Sequence, residues 1–251
     1  GGVAGYNLGT VTDCYNISIV NGNERVGGVV GYNDSFVDEG TVTNCYNTSS
    51  ITGSNGVGGV IGGSNSSITD CYNTGSVTGR YHVGGVVGSV VRKDGSNSHV
   101  TDCYNEGSIT GNNKVGGVVG YNDYGKAVTG CYNTGNITGE SGVGGVVGSD
   151  NSRTVTYCSN TGSITGESSV GGVVGSGSDS DITGCYNIGI VNGSKYVGGV
   201  VGENYGTVAD CYNTSSVTGK DYVGGVVGDN FCGDVTNCYS TGRVTGNKYI
   251  G

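Results

Sequence analysis

Short apolar runs recur along the whole chain and are separated by Gly, Asn, Ser and Thr. Each unit holds three of them, Gly-Val-Val-Gly, Val-Thr-x-Cys-Tyr and x-Val-Thr, with minor departures. β-Branched and aromatic residues in runs this short favour strands, and none of the runs has the i, i+3, i+4, i+7 spacing of a helix. The pattern therefore predicts an all-β chain with three short strands per unit.

The unit occurs nine times, and its cysteine recurs on average every 28 residues with no linker between copies. Self-similarity at a constant period is typical of solenoids, in which each repeat stacks on its neighbours. We therefore expect residues 1–251 to form a single continuous parallel β-helix (β-solenoid) of about nine coils of roughly 26–32 residues. Both ends fall within a repeat and carry no cap, which favours a segment of a longer chain or fibre. The Cys row consists of Cys14, Cys45, Cys71, Cys103, Cys131, Cys158, Cys185, Cys211 and Cys238.

One connection in each coil varies in length, whereas the rest of the coil does not. The separation along the chain between each repeat cysteine and the apolar residue before the next Gly-Gly pair is always 12 positions. The separation between the last Gly of Gly-Gly-Val-Val-Gly and the following cysteine, in contrast, varies from 9 to 15 positions. The two longest connections, Tyr32–Gly40 and Ser89–Ser98, lie two coils apart, so their roots should be ~10 Å apart. They are either freely varying insertions or a recognition patch. The candidate ligand-binding residues are Phe36, Asp38, Glu39, Arg92 and Lys93.

Equivalent residues of successive coils should stack into rows. We interpret the Cys row as small apolar residues of a thin core. Strand alternation then points the following tyrosine outward, but it would also turn the first Val outward, so we expect a bend in this segment. The Tyr row is interrupted once, at Ser159, where Tyr157 lies nearby instead. The Tyr row consists of Tyr15, Tyr46, Tyr72, Tyr104, Tyr132, Tyr186, Tyr212 and Tyr239.

The residue after each tyrosine is an asparagine, and we expect these amides to hydrogen-bond from coil to coil at a turn. Cys232 lies outside the Cys row and either pairs with Cys211 or Cys238 or is a free thiol. The 55 glycines fit corners with positive φ and close backbone approach. The Asn row consists of Asn16, Asn47, Asn73, Asn105, Asn133, Asn160, Asn187 and Asn213.

Composition excludes several classes of function. With 20 acidic and 11 basic residues, the net charge of −9 disfavours nucleic acid as a partner, and no apolar run approaches the ~20 residues of a membrane span. No Cys-x-x-Cys pair is present, and His82 and His99 match no metal-ligand spacing, so we expect neither metal nor cofactor. The acids are scattered and no basic residue recurs beside them, which disfavours a polysaccharide-active enzyme.

The repeat resembles the GLUG motif of bacterial cell-surface proteins. The matching residues are the Gly-Gly-Val-Val-Gly strand and a stretch such as Val-Thr-Asp-Cys-Tyr-Asn-Glu-Gly-Ser-Ile-Thr-Gly at Val100–Gly111. The regular Cys departs from the small residue that is commoner in these repeats. The resemblance implies a large secreted or wall-anchored adhesin, or a module beside the catalytic domain of a surface peptidase.

We therefore expect an extracellular stalk or fibre that is structural and adhesive rather than enzymatic. Its partners would be copies of itself or flanking repeats, with surface glycans or host proteins as further candidates. Three alternatives stay open: a glycan- or host-ligand-binding module acting through the variable loops, an ice-binding solenoid and, least favoured, a polysaccharide-active enzyme. Ice binding is suggested by outward Thr-x-Thr pairs, but most coils lack the first Thr. The complete pairs are Thr10/Thr12, Thr41/Thr43 and Thr154/Thr156.

Overall fold

The computed structural model describes residues 1–34, 40–91, 98–123 and 125–251. These residues form 45 short strands and no helix. Each strand pairs in parallel with the equivalent strands of the coils before and after it, so nine coils build five nine-stranded sheets. The predicted parallel β-solenoid of nine coils is confirmed.

The five sheets are numbered in the order in which one coil passes through them. The first contains Ala4–Asn7, Val30–Asn33, Ile61–Ser64, Val87–Val91, Val119–Asp123, Val147–Asp150, Val174–Gly177, Val201–Asn204 and Val227–Asn230. The second contains Val11–Thr12, Val42–Thr43, Ile68–Thr69, His99–Thr101, Ala127–Thr129, Thr154–Thr156, Asp181–Thr183, Val208–Ala209 and Val235–Thr236. The third contains Tyr15–Asn16, Tyr46–Asn47, Tyr72–Asn73, Tyr104–Asn105, Tyr132–Asn133, Ser159–Asn160, Tyr186–Asn187, Tyr212–Asn213 and Tyr239–Ser240.

The two remaining sheets complete the coil. The fourth contains Val20–Asn21, Ile51–Thr52, Val77–Thr78, Ile109–Thr110, Ile137–Thr138, Ile164–Thr165, Val191–Asn192, Val217–Thr218 and Val244–Thr245. The fifth contains Glu24–Gly27, Asn55–Gly58, Tyr81–Gly84, Asn113–Gly116, Ser141–Gly144, Ser168–Gly171, Lys195–Gly198, Asp221–Gly224 and Lys248–Ile250.

Each coil has five strands, so the expectation of three was wrong. The Val-Thr-x-Cys-Tyr run is split between two sheets because its middle residue is left-handed, as at Asp102 with φ 52°. This residue is the predicted bend: it lets Val100 and Cys103 both point inward although strict alternation would separate them. A second left-handed residue lies in the fifth strand, as at His82 with φ 54°.

Most glycines are required because other atoms of the protein approach their Cα closely, and few of them have a positive φ. The expectation of positive φ at the corners is corrected in this respect. Among the described residues, 15 non-glycine residues and only 5 glycines have positive φ. The second Gly of each Gly-Gly pair instead faces the side chain of the Asn row. A Cβ added to Gly85 would lie 1.9 Å from the carbonyl oxygen of Gly117 and 2.5 Å from Cγ of Asn105.

The core consists of two apolar columns. One contains the Cys row and the valines of the first and second strands, and the other contains the Val and Ile side chains of the fourth and fifth strands. Along the chain, each Asn of the Asn row and each Gly-Gly pair lies between a residue of one column and a residue of the other. The Asn side chains contact the Gly-Gly pairs across the coil and so form a polar layer between the two apolar columns.

Candidate functional site

The loop residues predicted to bind a ligand lie outside the described residues, but the roots of the two loops are defined. Val30–Asn33 and Val87–Val91 pair with opposite edges of Ile61–Ser64, so the loops leave the same sheet two coils apart, as predicted. Whether their side chains form a patch stays a prediction. The predicted residues concerned are Phe36, Asp38, Glu39, Arg92 and Lys93.

Seven of the nine side chains of the Cys row are buried, as predicted, and only the end residues Cys14 and Cys238 are partly exposed. The thiols are bonded to the backbone. Cys103 donates from Sγ to the carbonyl oxygen of Thr101 at 3.2 Å and reaches that of Ile68 in the preceding coil at 3.8 Å. Burial raises the pKa of the Cys103 and Cys158 thiols well above the usual value, so these groups are protonated and poorly nucleophilic at neutral pH. All ten cysteines are free thiols, and Cys232 is exposed. The Cys row is part of the core.

The Asn row is a continuous hydrogen-bonded ladder, as predicted. Nδ2 of Asn73 donates to Oδ1 of Asn105, and Nδ2 of Asn105 donates to Oδ1 of Asn133, both at 2.8 Å. The same Nδ2 of Asn105 also donates to the carbonyl oxygen of Gly107 at 2.8 Å. Every amide points the same way along the axis, and the ladder ends at Ser240, whose Oγ lies 3.3 Å from Nδ2 of Asn213. It holds successive coils in register.

The Tyr row forms two stacks on the outer surface. Rings from Tyr15 to Tyr132 stack with centroids 4.8 to 5.2 Å apart and planes within 9°. Rings from Tyr186 to Tyr239 stack in the same way. Ser159 separates the two stacks because it takes the row position between Tyr132 and Tyr186.

A second group of outward side chains lies where the fifth strand passes into the first. Nζ of Lys114 is 3.3 Å from the ring centroid of Tyr121, and the His82 ring stacks on that same tyrosine at 4.9 Å. Partial burial lowers the pKa of both Lys114 and His82. The three side chains form a ridge across the rod.

A polar hollow of about 220 Å³ lies on the C-terminal side of this ridge. Lys114 stands at one end of the hollow and Glu203 at the other. The Glu203 carboxylate accepts hydrogen bonds from Ser169 at 2.8 Å and from Tyr205 at 2.7 Å, and the latter raises the pKa of Tyr205 to about 12. The floor is made of small residues from adjacent coils: Ser141, Gly142, Ser149, Ser169 and Ser176.

We did not predict this hollow from the sequence. Its residues are about one repeat apart along the chain and belong to no motif. A signal was nevertheless present, because two successive coils carry serine at the same register position, Ser149 and Ser176, between Tyr121 and Glu203.

Comparison with known proteins agrees with the repeat geometry. The GLUG motif matches four segments, residues 22–52, 79–110, 193–218 and 221–245. The motif is therefore present at four repeat positions, which is consistent with a GLUG-repeat array. No curated protein and no solved structure matches it. The GLUG motif together with the solenoid fold makes this chain a structural repeat protein.

One buried acid interrupts the polar interior of the GLUG array. Asp150 is fully buried and accepts hydrogen bonds from Asn122 and Ser152, each at 2.8 Å, and from Ser180 at 2.5 Å. Burial raises its pKa, and the three hydrogen bonds oppose that shift only in part. Asp150 is in register with Asn122 of the preceding coil and with Gly177 of the following coil, and its carboxylate takes part in the hydrogen bonds of the interior.

Neither a metal cluster nor a membrane-spanning helix is found in the described parts of the GLUG array. No group of three or more His, Cys, Asp or Glu side chains there could hold a metal ion. Nor do the described residues include a helix long and apolar enough to cross a membrane.

Proposed function

We propose that the GLUG array acts as a stiff stalk or fibre segment of an extracellular bacterial surface protein. The observation that carries this proposal is the unbroken register of five parallel sheets through nine coils. Each coil bonds only to its neighbours, so adding repeats lengthens the rod without changing its cross-section. Nine coils at the usual inter-strand spacing give a rod of ~43 Å.

The proposed partners are flanking repeats or further copies of the same array. Stacking of this kind would continue the sheets and the Asn ladder from one array to the next. The proposal includes no catalytic step, no nucleic acid and no insertion into a membrane.

Electron microscopy of the parent material, isolated from its native source, tests the proposal. We expect fibres, or rods tethered to the cell wall, with a repeat of ~4.8 Å along the axis. Gold-labelled antibodies against the array should bind intact cells. Labelling that appears only after the cells are permeabilised would contradict an extracellular stalk.

A second candidate function is glycan binding, and the polar hollow between Lys114 and Glu203 favours it. Serine hydroxyls on the floor, a cation at one end and a carboxylate at the other offer donors and acceptors for sugar hydroxyls. A glycan array probed with the native chain and with Ser149→Tyr, which fills the floor, separates this role from that of a plain spacer. Binding that is equal for the two proteins would exclude the hollow.

Ice binding is not favoured by the second sheet. Thr154 and Thr156 flank the buried Val155, but the positions in register with Thr154 are Ala127 and Asp181. The row of Thr156 does continue through Thr129 and Thr183, so one threonine column is present but the second column of a Thr-x-Thr surface is not.

A further inference from the structure

The interruption of the Tyr row has a defined geometry. Ser159 pairs with Tyr132 on one side and with Tyr186 on the other, so it occupies the position where a ring would continue both stacks. Two coil spacings separate the flanking tyrosines, which places their rings ~10 Å apart. The strand itself is undisturbed, because Asn160 donates to Asn187 at 2.8 Å and accepts from Asn133 at the same distance. In its third strand, this coil therefore differs from the others of the Tyr row only in having no aromatic ring at the row position.

Tyr157 lies two residues from Ser159 but does not fill the gap. Its backbone is left-handed, with φ 54°, which turns the side chain away from the Tyr row. The ring lies over Gly184, where an added Cβ would be 2.8 Å from Cδ1 of Tyr157. Tyr157 is 72% exposed, whereas a ring held between two others would be largely covered.

The exposure of Tyr132 lies between that of the inner rings of its stack and that of the end ring Tyr15, which is 54% exposed. Tyr132 is 39% exposed, although the other inner tyrosines of the same stack, Tyr46, Tyr72 and Tyr104, are only partly exposed. Its ring stacks on Tyr104 at 4.8 Å, so the uncovered face is the one toward Ser159. Tyr186 stacks on Tyr212 at 5.1 Å, so its other ring face is directed toward Ser159, and the side chain as a whole is half-buried.

We propose that the gap at Ser159 is a binding slot for one planar aromatic ring with a polar edge. A guest ring there would lie about 4.8 Å from each neighbour, which is the spacing of the existing stack and within the range of offset-stacked aromatic pairs. Rings stacked with an offset have planes closer together than their centroids, so the slot is one flat ring thick. A chair-shaped pyranose is thicker than an aromatic ring and fits less well.

The polar rim of the slot fits a phenol or an indole. Ser159 lies at the floor and is partly exposed, so its hydroxyl can bond to a polar edge of the guest. This inference does not depend on the proposed stalk function.

Fluorescence titration with N-acetyltryptophanamide tests the slot. The chain contains no Trp, so excitation on the red edge of tyrosine absorbance reports the probe alone. We expect saturable, weak binding, because each aromatic contact strengthens binding by only about two- to tenfold. An absence of saturable binding overturns the proposal.

Three variants assign the binding to the slot. Ser159→Tyr fills the gap and should weaken binding about tenfold or more, because both ring faces become covered. Ser163→Tyr adds the same ring at an exposed position of the same coil and should leave binding unchanged. Tyr132→Leu removes one wall and should weaken binding by about two- to tenfold even if the filled variant folds poorly. Equal binding by native chain, Ser159→Tyr and Tyr132→Leu overturns the proposal.

Competition identifies the source of the ring. If p-cresol and the peptide acetyl-Gly-Tyr-Gly-amide displace the probe equally well, the slot recognises a free phenolic ring. A much stronger effect of the peptide indicates an aromatic side chain of a polypeptide. Displacement by methyl glucoside but not by p-cresol would overturn the aromatic assignment.

Discussion

Replacing Asn105 by Ala tests whether the Asn ladder determines the stability of the rod. Asn105 is fully buried and takes part in three hydrogen bonds, to Gly107, to Asn133 and from Asn73, each at 2.8 Å. A typical net contribution of ~1 kcal/mol per bond gives ~3 kcal/mol. The side-chain Oδ1 of Asn133 would also lose its amide donor in a buried site, which adds ~1–3 kcal/mol. We therefore expect a loss of about 4–6 kcal/mol in the free energy of unfolding.

Urea unfolding followed by circular dichroism measures this loss, with Asn112→Ala as the matched control. Asn112 bonds through its side chain to Glu140 at 2.7 Å on the solvent side, so its replacement should cost less than about 1 kcal/mol. Repeat arrays can unfold in parts, so amide exchange should be read as well. The backbone N–H of Tyr104, bonded to Cys71 at 3.1 Å, should exchange faster in Asn105→Ala. If the two variants have the same stability to within about 1 kcal/mol, the ladder is not what stabilises the rod.

Three further predictions concern the interior. Gly85→Ala should prevent normal stacking, whereas Gly5→Ala, where an added Cβ meets nothing within 4 Å, should fold normally by circular dichroism. Cys103→Ser should lower the free energy of unfolding by about 1–3 kcal/mol in urea titrations, whereas Cys232→Ser at the exposed thiol should be neutral. Because burial raises the pKa of Asp150, its contribution to stability is present at acid pH and is lost as pH rises through the folded-state pKa. Asp150→Asn should therefore raise the urea midpoint at neutral pH and not at acid pH.

Much of the fold could be predicted because stacked repeats turn sequence period into spatial rows. The inward Cys row, the outward Tyr row and the Asn ladder all follow from period and strand alternation, and the structure confirms them. The number of strands could not be predicted in this way. It depends on left-handed residues such as Asp102 and His82, and non-glycine residues adopt positive φ too rarely to be assigned from a single sequence.

The outer surface was harder to predict than the core. The polar hollow depends on which residues of different coils share a register position, and loop lengths that vary from coil to coil hide that register in the sequence. Ser149 and Ser176 are 27 positions apart in the chain but are direct partners in the first sheet. The change from Tyr to Ser at Ser159 was visible in the sequence. Whether this change leaves a gap in the stack depends on where the ring of Tyr157 lies, and strand alternation alone does not determine that position.

The separation between inner and outer rows explains how such an array can acquire binding sites without losing its fold. In the coil of Ser159, Asn160 keeps both ladder bonds and Cys158 stays buried, although the outward ring is absent. Asn side chains of the third strands point inward against the Gly-Gly pairs, so the Tyr row and the polar hollow lie on opposite faces of the rod. Substitutions on either face leave the inward bonds intact, and the two faces can therefore diverge independently. Differences in binding between GLUG arrays should accordingly be found in outward positions, while the Asn, Cys and Gly-Gly positions keep successive coils in register.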